Sequence, residues 1–104
     1  MANLSCGDFR GSDFTGANLC GSDMSNSNFS DCVFVNADLR GVNFSCSVFD
    51  NANFLNAKMG NNDIRGSDLS KAVNLYALPL DSNRVILYTS KEEYLKSYED
   101  HFVE

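Results

Sequence analysis

Ser27-Asn28-Phe29-Ser30-Asp31-Cys32-Val33-Phe34-Val35-Asn36-Ala37-Asp38-Leu39-Arg40-Gly41-Val42-Asn43-Phe44-Ser45-Cys46, residues 27–46, carries a large apolar side chain at every fifth position. Followed both ways, the series reads Leu4, Phe9, Phe14, Leu19, Met24, Phe29, Phe34, Leu39, Phe44, Phe49, Phe54, Met59, Ile64 and Leu69. That is fourteen consecutive repeats between Ala2 and Lys71. Two positions before each centre the residue is nearly always small, as at Ala17, Ser27, Cys32 and Ala52. One position before it stands Asp or Asn in eleven of the fourteen, the exceptions being Val33, Val48 and Lys58.

A period of five fits neither regular element. On an α-helix, five residues turn the chain by about 140° net, so the centres would spread around the axis. On a flat strand the side chains alternate with period two, and successive centres would face opposite sides. A chain that turns a corner after every fifth residue buries them all. Three residues then form a short extended segment, with the small and large residues inward and the Asp or Asn outward. Two polar residues make the corner. Gly11, Gly16, Gly21, Gly41 and Gly66 all fall on the last corner position, where permissive backbone angles help. Such segments stack by ladder hydrogen bonds about 4.8 Å apart, and stability comes from stacked neighbours.

Segments such as Ala17-Asn18-Leu19-Cys20-Gly21, Ala37-Asp38-Leu39-Arg40-Gly41 and Ser67-Asp68-Leu69-Ser70-Lys71 resemble the pentapeptide-repeat family motif. The resemblance implies an all-β solenoid, a right-handed quadrilateral β-helix with four repeats per coil. About 3.5 coils would fit here, roughly 17 Å tall. With four sides, residues twenty apart stack. Phe9, Phe29 and Phe49 then form one core ladder, and Phe14, Phe34 and Phe54 the next.

The repeat grammar stops near Ala72, so residues 1–72 read as the β-helix and 73–104 as a C-terminal cap. Leu75 to Leu80 and Arg84 to Thr89 read as two short strands around a turn at Asp81-Ser82-Asn83. Ser90-Lys91-Glu92-Glu93 matches a helix capping box, which predicts a helix from Lys91 to about Phe102 that covers the bottom of the solenoid. At the other end no cap precedes the first repeat. Leu4, Phe9, Phe14 and Leu19 would line a raw edge, a candidate interface for a homodimer.

The 104 residues allow one domain. The net charge of −6 argues against a nucleic-acid backbone as a direct partner, and no apolar run approaches the length of a membrane span. Cys6, Cys20, Cys32 and Cys46 read as free thiols of a cytoplasmic protein. Cys6 and Cys46 would share a column about 9.6 Å apart, too far for a disulfide. Cys32 should be an inert core thiol, while Cys20 and Cys46 face outward. His101 is the only histidine and lies in the predicted helix, remote from every cysteine. The repeated Asp slot alternates freely with Asn, which suits turn-forming side chains rather than catalytic acids. No catalytic residue, metal site or cofactor is expected.

One side departs from the polar outer rule. Val33, Val35 and Leu55 would form an apolar patch there, a candidate partner-binding site unless the tail folds back over it. The reading is a non-enzymatic interaction or scaffold domain with a protein partner. The alternative, which the resemblance supplies, is a DNA mimic that binds a type II topoisomerase (gyrase) and modulates quinolone sensitivity. Charge distribution helps it little, since the repeat zone holds eight Asp against five cations.

Overall fold

The computed structural model describes residues 1–81 and 84–102. Eleven isolated parallel bridges run from Asn3↔Asp23 to Asn53↔Val73, each joining a residue to the one twenty positions on. Four five-residue segments therefore separate each pair of stacked neighbours, and the repeat zone is a β-helix solenoid. The ladder is regular: Phe9 N–H donates to the Asn28 carbonyl at 2.9 Å, and Asn28 N–H donates to the Gly7 carbonyl at 3.0 Å. It reaches Val73, one residue past the predicted boundary at Ala72, because the slot position recurs there even though the following residue is Asn74.

The centres fill the interior. Met24, Phe29, Phe34, Leu39, Phe44, Phe49 and Phe54 are all buried. Phe9, Phe29 and Phe49 stack with ring centroids 5.1 and 5.4 Å apart, and Phe14, Phe34 and Phe54 with centroids 5.1 Å apart. These spacings follow the strand separation: identical rings in register can only stack at about the ladder repeat. Neighbouring ladders meet edge-on, as Phe29 and Phe34 do at 63°.

Each corner closes on a residue of positive φ, in all thirteen from Cys6 to Gly66. Five are Gly; the other eight are Asn, Asp or Cys, with Cys46 at φ 55°. Most corners also carry the i→i+3 bond of a type II turn, such as Ser12 N–H to the Phe9 carbonyl at 3.0 Å. Two corners of one column work differently, although its last corner keeps the direct bond from Ser67 N–H to the Ile64 carbonyl at 3.1 Å. In the first of the two, the Ser27 hydroxyl donates to the Leu4 carbonyl at 2.8 Å and accepts from Gly7 N–H at 3.0 Å. Ser47 does the same one layer on, donating to the Met24 carbonyl at 2.6 Å and accepting from Ser27 N–H at 3.0 Å.

After the ladder come strand β1, Tyr76–Asp81, strand β2, Arg84–Tyr88, and helix α1, Lys91–Phe102. The strands pair antiparallel with Tyr76 opposite Tyr88. Of the predicted turn, Asp81 belongs to β1, and Ser82 and Asn83 lie outside the described residues. Ser90 caps α1 weakly: its backbone carbonyl accepts from Tyr94 N–H at 3.0 Å, and its hydroxyl reaches Glu93 N–H only at 3.5 Å.

The helix does not cover the solenoid as the sequence suggests; the hairpin does. Leu78 is 1% exposed, and the Thr89 hydroxyl donates to the Ala57 carbonyl at 2.6 Å, pinning the end of β2 to the repeat zone. No residue of α1 is buried. It rests on the hairpin through Tyr94, stacked on Tyr76 at 5.5 Å, and through Tyr88 Oη donating to Ser97 Oγ at 2.7 Å. Leu95, Tyr98 and Phe102 stay exposed. A two-strand hairpin presents a flat apolar face to the last layer, and the capping box decides where a helix starts, not what it packs on. No helix among the described residues is long and apolar enough to cross a membrane.

Candidate protein-interaction surface

The outer surface is set by the Asp/Asn slot. In all eleven slots that hold Asp or Asn, the side-chain oxygen accepts the backbone N–H two residues on, as Asp13 does from Thr15 at 2.9 Å and Asn53 from Leu55 at 3.1 Å. Each side chain thus tightens its own corner. Three slots also form ion pairs on one segment: Asp8 with Arg10, Asp38 with Arg40 and Asp63 with Arg65.

These bonds hold the carboxylates in the charged form. The Arg40 and Arg65 guanidinium groups, by direct hydrogen bonds, bring Asp38 and Asp63 down to about 2. Arg10 lowers Asp8, and the hydroxyls of Thr15, Ser25 and Ser70 lower Asp13, Asp23 and Asp68. A group whose folded value is depressed stabilises the fold above its unfolded value, near 4, and that contribution disappears as pH falls through the folded value. The melting temperature is therefore expected to be flat above about pH 5 and to fall between about pH 4 and 2. Replacing Asp38 and Asp63 by Asn, which keeps the corner bond, should make that fall shallower; an unchanged profile would refute the assignment.

Val33 has no such side-chain oxygen. It sits in the ladder between Asp13 and Asn53, and Val73 continues the column. Leu55 is 40% exposed and Val73 is 39% exposed. Val33 and Val35 are half-buried rather than open, a correction to the expected patch. Their ladder neighbours, one strand spacing above and below, shield their flanks. Val73 extends the column at the twenty-residue spacing from Asn53. The tail leaves Leu55 uncovered. It runs instead along the bottom and beside Lys58, where a cleft of about 510 Å³ separates Lys58 and Met59 from Leu87 and Thr89.

At the N-terminal end, Leu4, Phe9 and Phe14 are half-buried and Leu19 is buried, at 8% exposure. Cys6, Cys20 and Cys46 are exposed free thiols. Cys32 is buried, its Sγ 3.0 Å from the Phe9 carbonyl, and burial pushes its thiol up. His101 is exposed on α1 with Nδ1 2.8 Å from the Ser97 carbonyl. Among the described residues, no three His, Cys, Asp or Glu side chains gather where a metal could be held.

The family match accords with this geometry. Residues 7–81 match the family described as "Pentapeptide repeat region". A solved structure, a pentapeptide repeat protein from the thylakoid lumen of Arabidopsis thaliana, is 28% identical; the match covers 77% of this chain and 72% of that one, with a TM-score of 0.33. No curated protein matches. With the match spanning most of the repeat zone and the hairpin's first strand, this chain belongs to the pentapeptide repeat family.

Proposed function

We propose that this chain is a non-enzymatic scaffold: a right-handed quadrilateral β-helix of about 3.5 coils, covered at its C-terminal end by the β1–β2 hairpin, that offers a rigid outer face to a protein partner. Pentapeptide repeat proteins are generally structural and interaction proteins rather than enzymes. The observation that carries the reading is the column Val33, Val35, Leu55 and Val73. There the chain gives up a corner-tightening Asp or Asn at two ladder positions for an outward apolar side chain, with Leu55 and Val73 open to solvent. A surface already fixed by the ladder loses little conformational freedom on binding, so a small apolar column can still select a partner. The four free thiols suit a cytoplasmic setting. For DNA mimicry this chain's own residues offer only the charge of −6, and three of the repeat-zone carboxylates are already paired with arginine.

The test is an affinity pull-down comparing the unmodified chain with a Val33→Asp, Val35→Asp, Leu55→Asp variant and with Lys71→Asp as a charge control, each first shown folded by circular dichroism. The same partner is expected with the unmodified chain and the control and at least about tenfold less of it with the triple variant. Equal recovery by all three would remove this surface from the proposal.

A further inference from the structure

We propose that the trough between the last layer of the solenoid and β2 takes up an extended, acidic segment of a partner protein, which adds there as a strand. Two cavities of about 450 and 510 Å³ share Met59, Ile86 and Leu87 and so form one trough. Each is in the size range of a ligand site. One wall is the segment from Ala57 to Asn61. The other is β2, which pairs with β1 alone among the described residues.

The ladder leaves its next rung open on the first wall. One layer up, the Ala37 carbonyl accepts from Lys58 N–H at 2.9 Å, and Leu39 and Gly41 N–H donate to the Lys58 and Gly60 carbonyls at 2.8 and 2.7 Å. In the last layer the Thr89 hydroxyl replaces the first of these donors, on the Ala57 carbonyl at 2.6 Å. The Met59 and Asn61 N–H groups have no acceptor among the described residues. Two donors spaced two residues apart are what a strand edge offers an incoming strand. The carbonyls of an added segment would take these donors, and its apolar side chains would meet half-buried Met59, Ile86 and Leu87.

Charge selects an acidic segment. Lys58 is the one cation in the fourteen Asp/Asn slots, and it forms no ion pair among the described residues. Arg40 lines the trough with it, already paired with Asp38, and Glu93 is the one lining carboxylate among the described residues. The local structure explains why a lysine can stand in this slot. Elsewhere the slot's Asp or Asn oxygen holds the N–H two residues on, which Lys58 cannot do for Gly60. Asn62 does it instead, at a position where small residues prevail. Its Oδ1 accepts from Gly60 N–H at 2.9 Å, and its Nδ2 donates to the Leu39 carbonyl at 2.7 Å. The two departures from the repeat offset each other and leave the Lys58 ammonium free for a ligand. The trough lies on a different side from the Val33–Leu55 column, and either surface can fail alone.

The probe is the blocked peptide acetyl-Asp-Val-Asp-Val-Asp-amide, titrated into the full chain, with acetyl-Lys-Val-Lys-Val-Lys-amide as its counterpart. The acidic peptide is expected to slow amide exchange at Met59 and Asn61 several-fold, while Leu39 and Gly41, already bonded, stay constant. It should bind at least about tenfold tighter than the basic peptide. Lys58→Asp puts the usual residue back into the slot, so it should keep the circular dichroism spectrum and abolish that preference. Unchanged exchange at Met59 and Asn61 in about 5 mM acidic peptide overturns the proposal. So does equal binding of the two peptides by the unmodified chain, or an undiminished preference in Lys58→Asp. The first two of these results need only the unmodified chain and hold even where the variant does not fold.

Discussion

Phe34→Ala is expected to lower the unfolding free energy by about 3–5 kcal/mol, a loss as large as any in the repeat zone. Phe34 is fully buried and, like Phe29, contacts two rings of its own ladder and two of the neighbouring one. It stacks on Phe14 and Phe54 at 5.1 Å and meets Phe29 and Phe49 at 6.0 and 6.3 Å. Truncation removes the transfer free energy of a benzyl group and leaves a cavity whose walls are fixed by the backbone ladder above and below. A packed globular core can slide a helix into such a gap; here the strand spacing forbids collapse along the stacking direction. Since a domain of this size has a total stability of about 5–15 kcal/mol, the loss is a large fraction of the whole. The check is a urea denaturation series with Phe34→Leu and Phe14→Ala alongside. Phe14 is half-buried at the end of its ladder, so its truncation should cost less than half as much. Equal losses at Phe14 and Phe34 would mean that ladder continuity is not what stabilises the interior.

That prediction draws on the part of the molecule most openly written in its residues. One large residue per segment, one small residue two places before it and one Asx between them are demands of a single five-residue unit. They repeat without interference from distant contacts, so Phe29, Phe34 and Leu39 could be placed inside by spacing alone. The number of segments per layer is not a local demand. It came from the resemblance to a family, and the bridges at intervals of twenty supply it here. The tail divides in the same way. Ser90 marks the start of α1 because capping is local, whereas the docking of the helix on Tyr76 and Tyr88 depends on surfaces that meet only after folding. The outer face was legible in outline: Leu55 is open as its position implies, Val33 and Val35 are partly screened by their neighbours, and Val73 requires the twenty-residue register to be carried past the last clear repeat. Corner residues such as Asn26 and Asp31 share the positive φ of the glycines, and only the glycines advertise it.

Least legible of all was the role of two serines that look like ordinary small residues, and it yields the second large effect. Ser47→Ala is expected to cost about 2–4 kcal/mol, although it deletes one oxygen. The Ser47 hydroxyl lies where a type II turn would place a direct N–H to C=O bond between Ser27 and Met24. No direct bond closes that corner, and the hydroxyl from the next layer spans it. Both backbone groups are buried, Met24 at 0% and Ser27 at 5% exposure, and neither has another partner. Alanine fits the space but leaves a donor and an acceptor unsatisfied in the interior, each with a penalty of about 1–3 kcal/mol. Ser45→Ala, two residues away and half-buried, has no side-chain bond to lose and should stay within about 0.5 kcal/mol of the unmodified chain. Ser47→Cys should fall between, because a thiol can donate weakly to a carbonyl, as the Cys32 Sγ already does to Phe9 at 3.0 Å. Equilibrium denaturation of the three variants decides the matter. If Ser47→Ala and Ser45→Ala unfold at the same urea concentration, the bridging hydroxyl contributes nothing, and that corner is held by its neighbours alone.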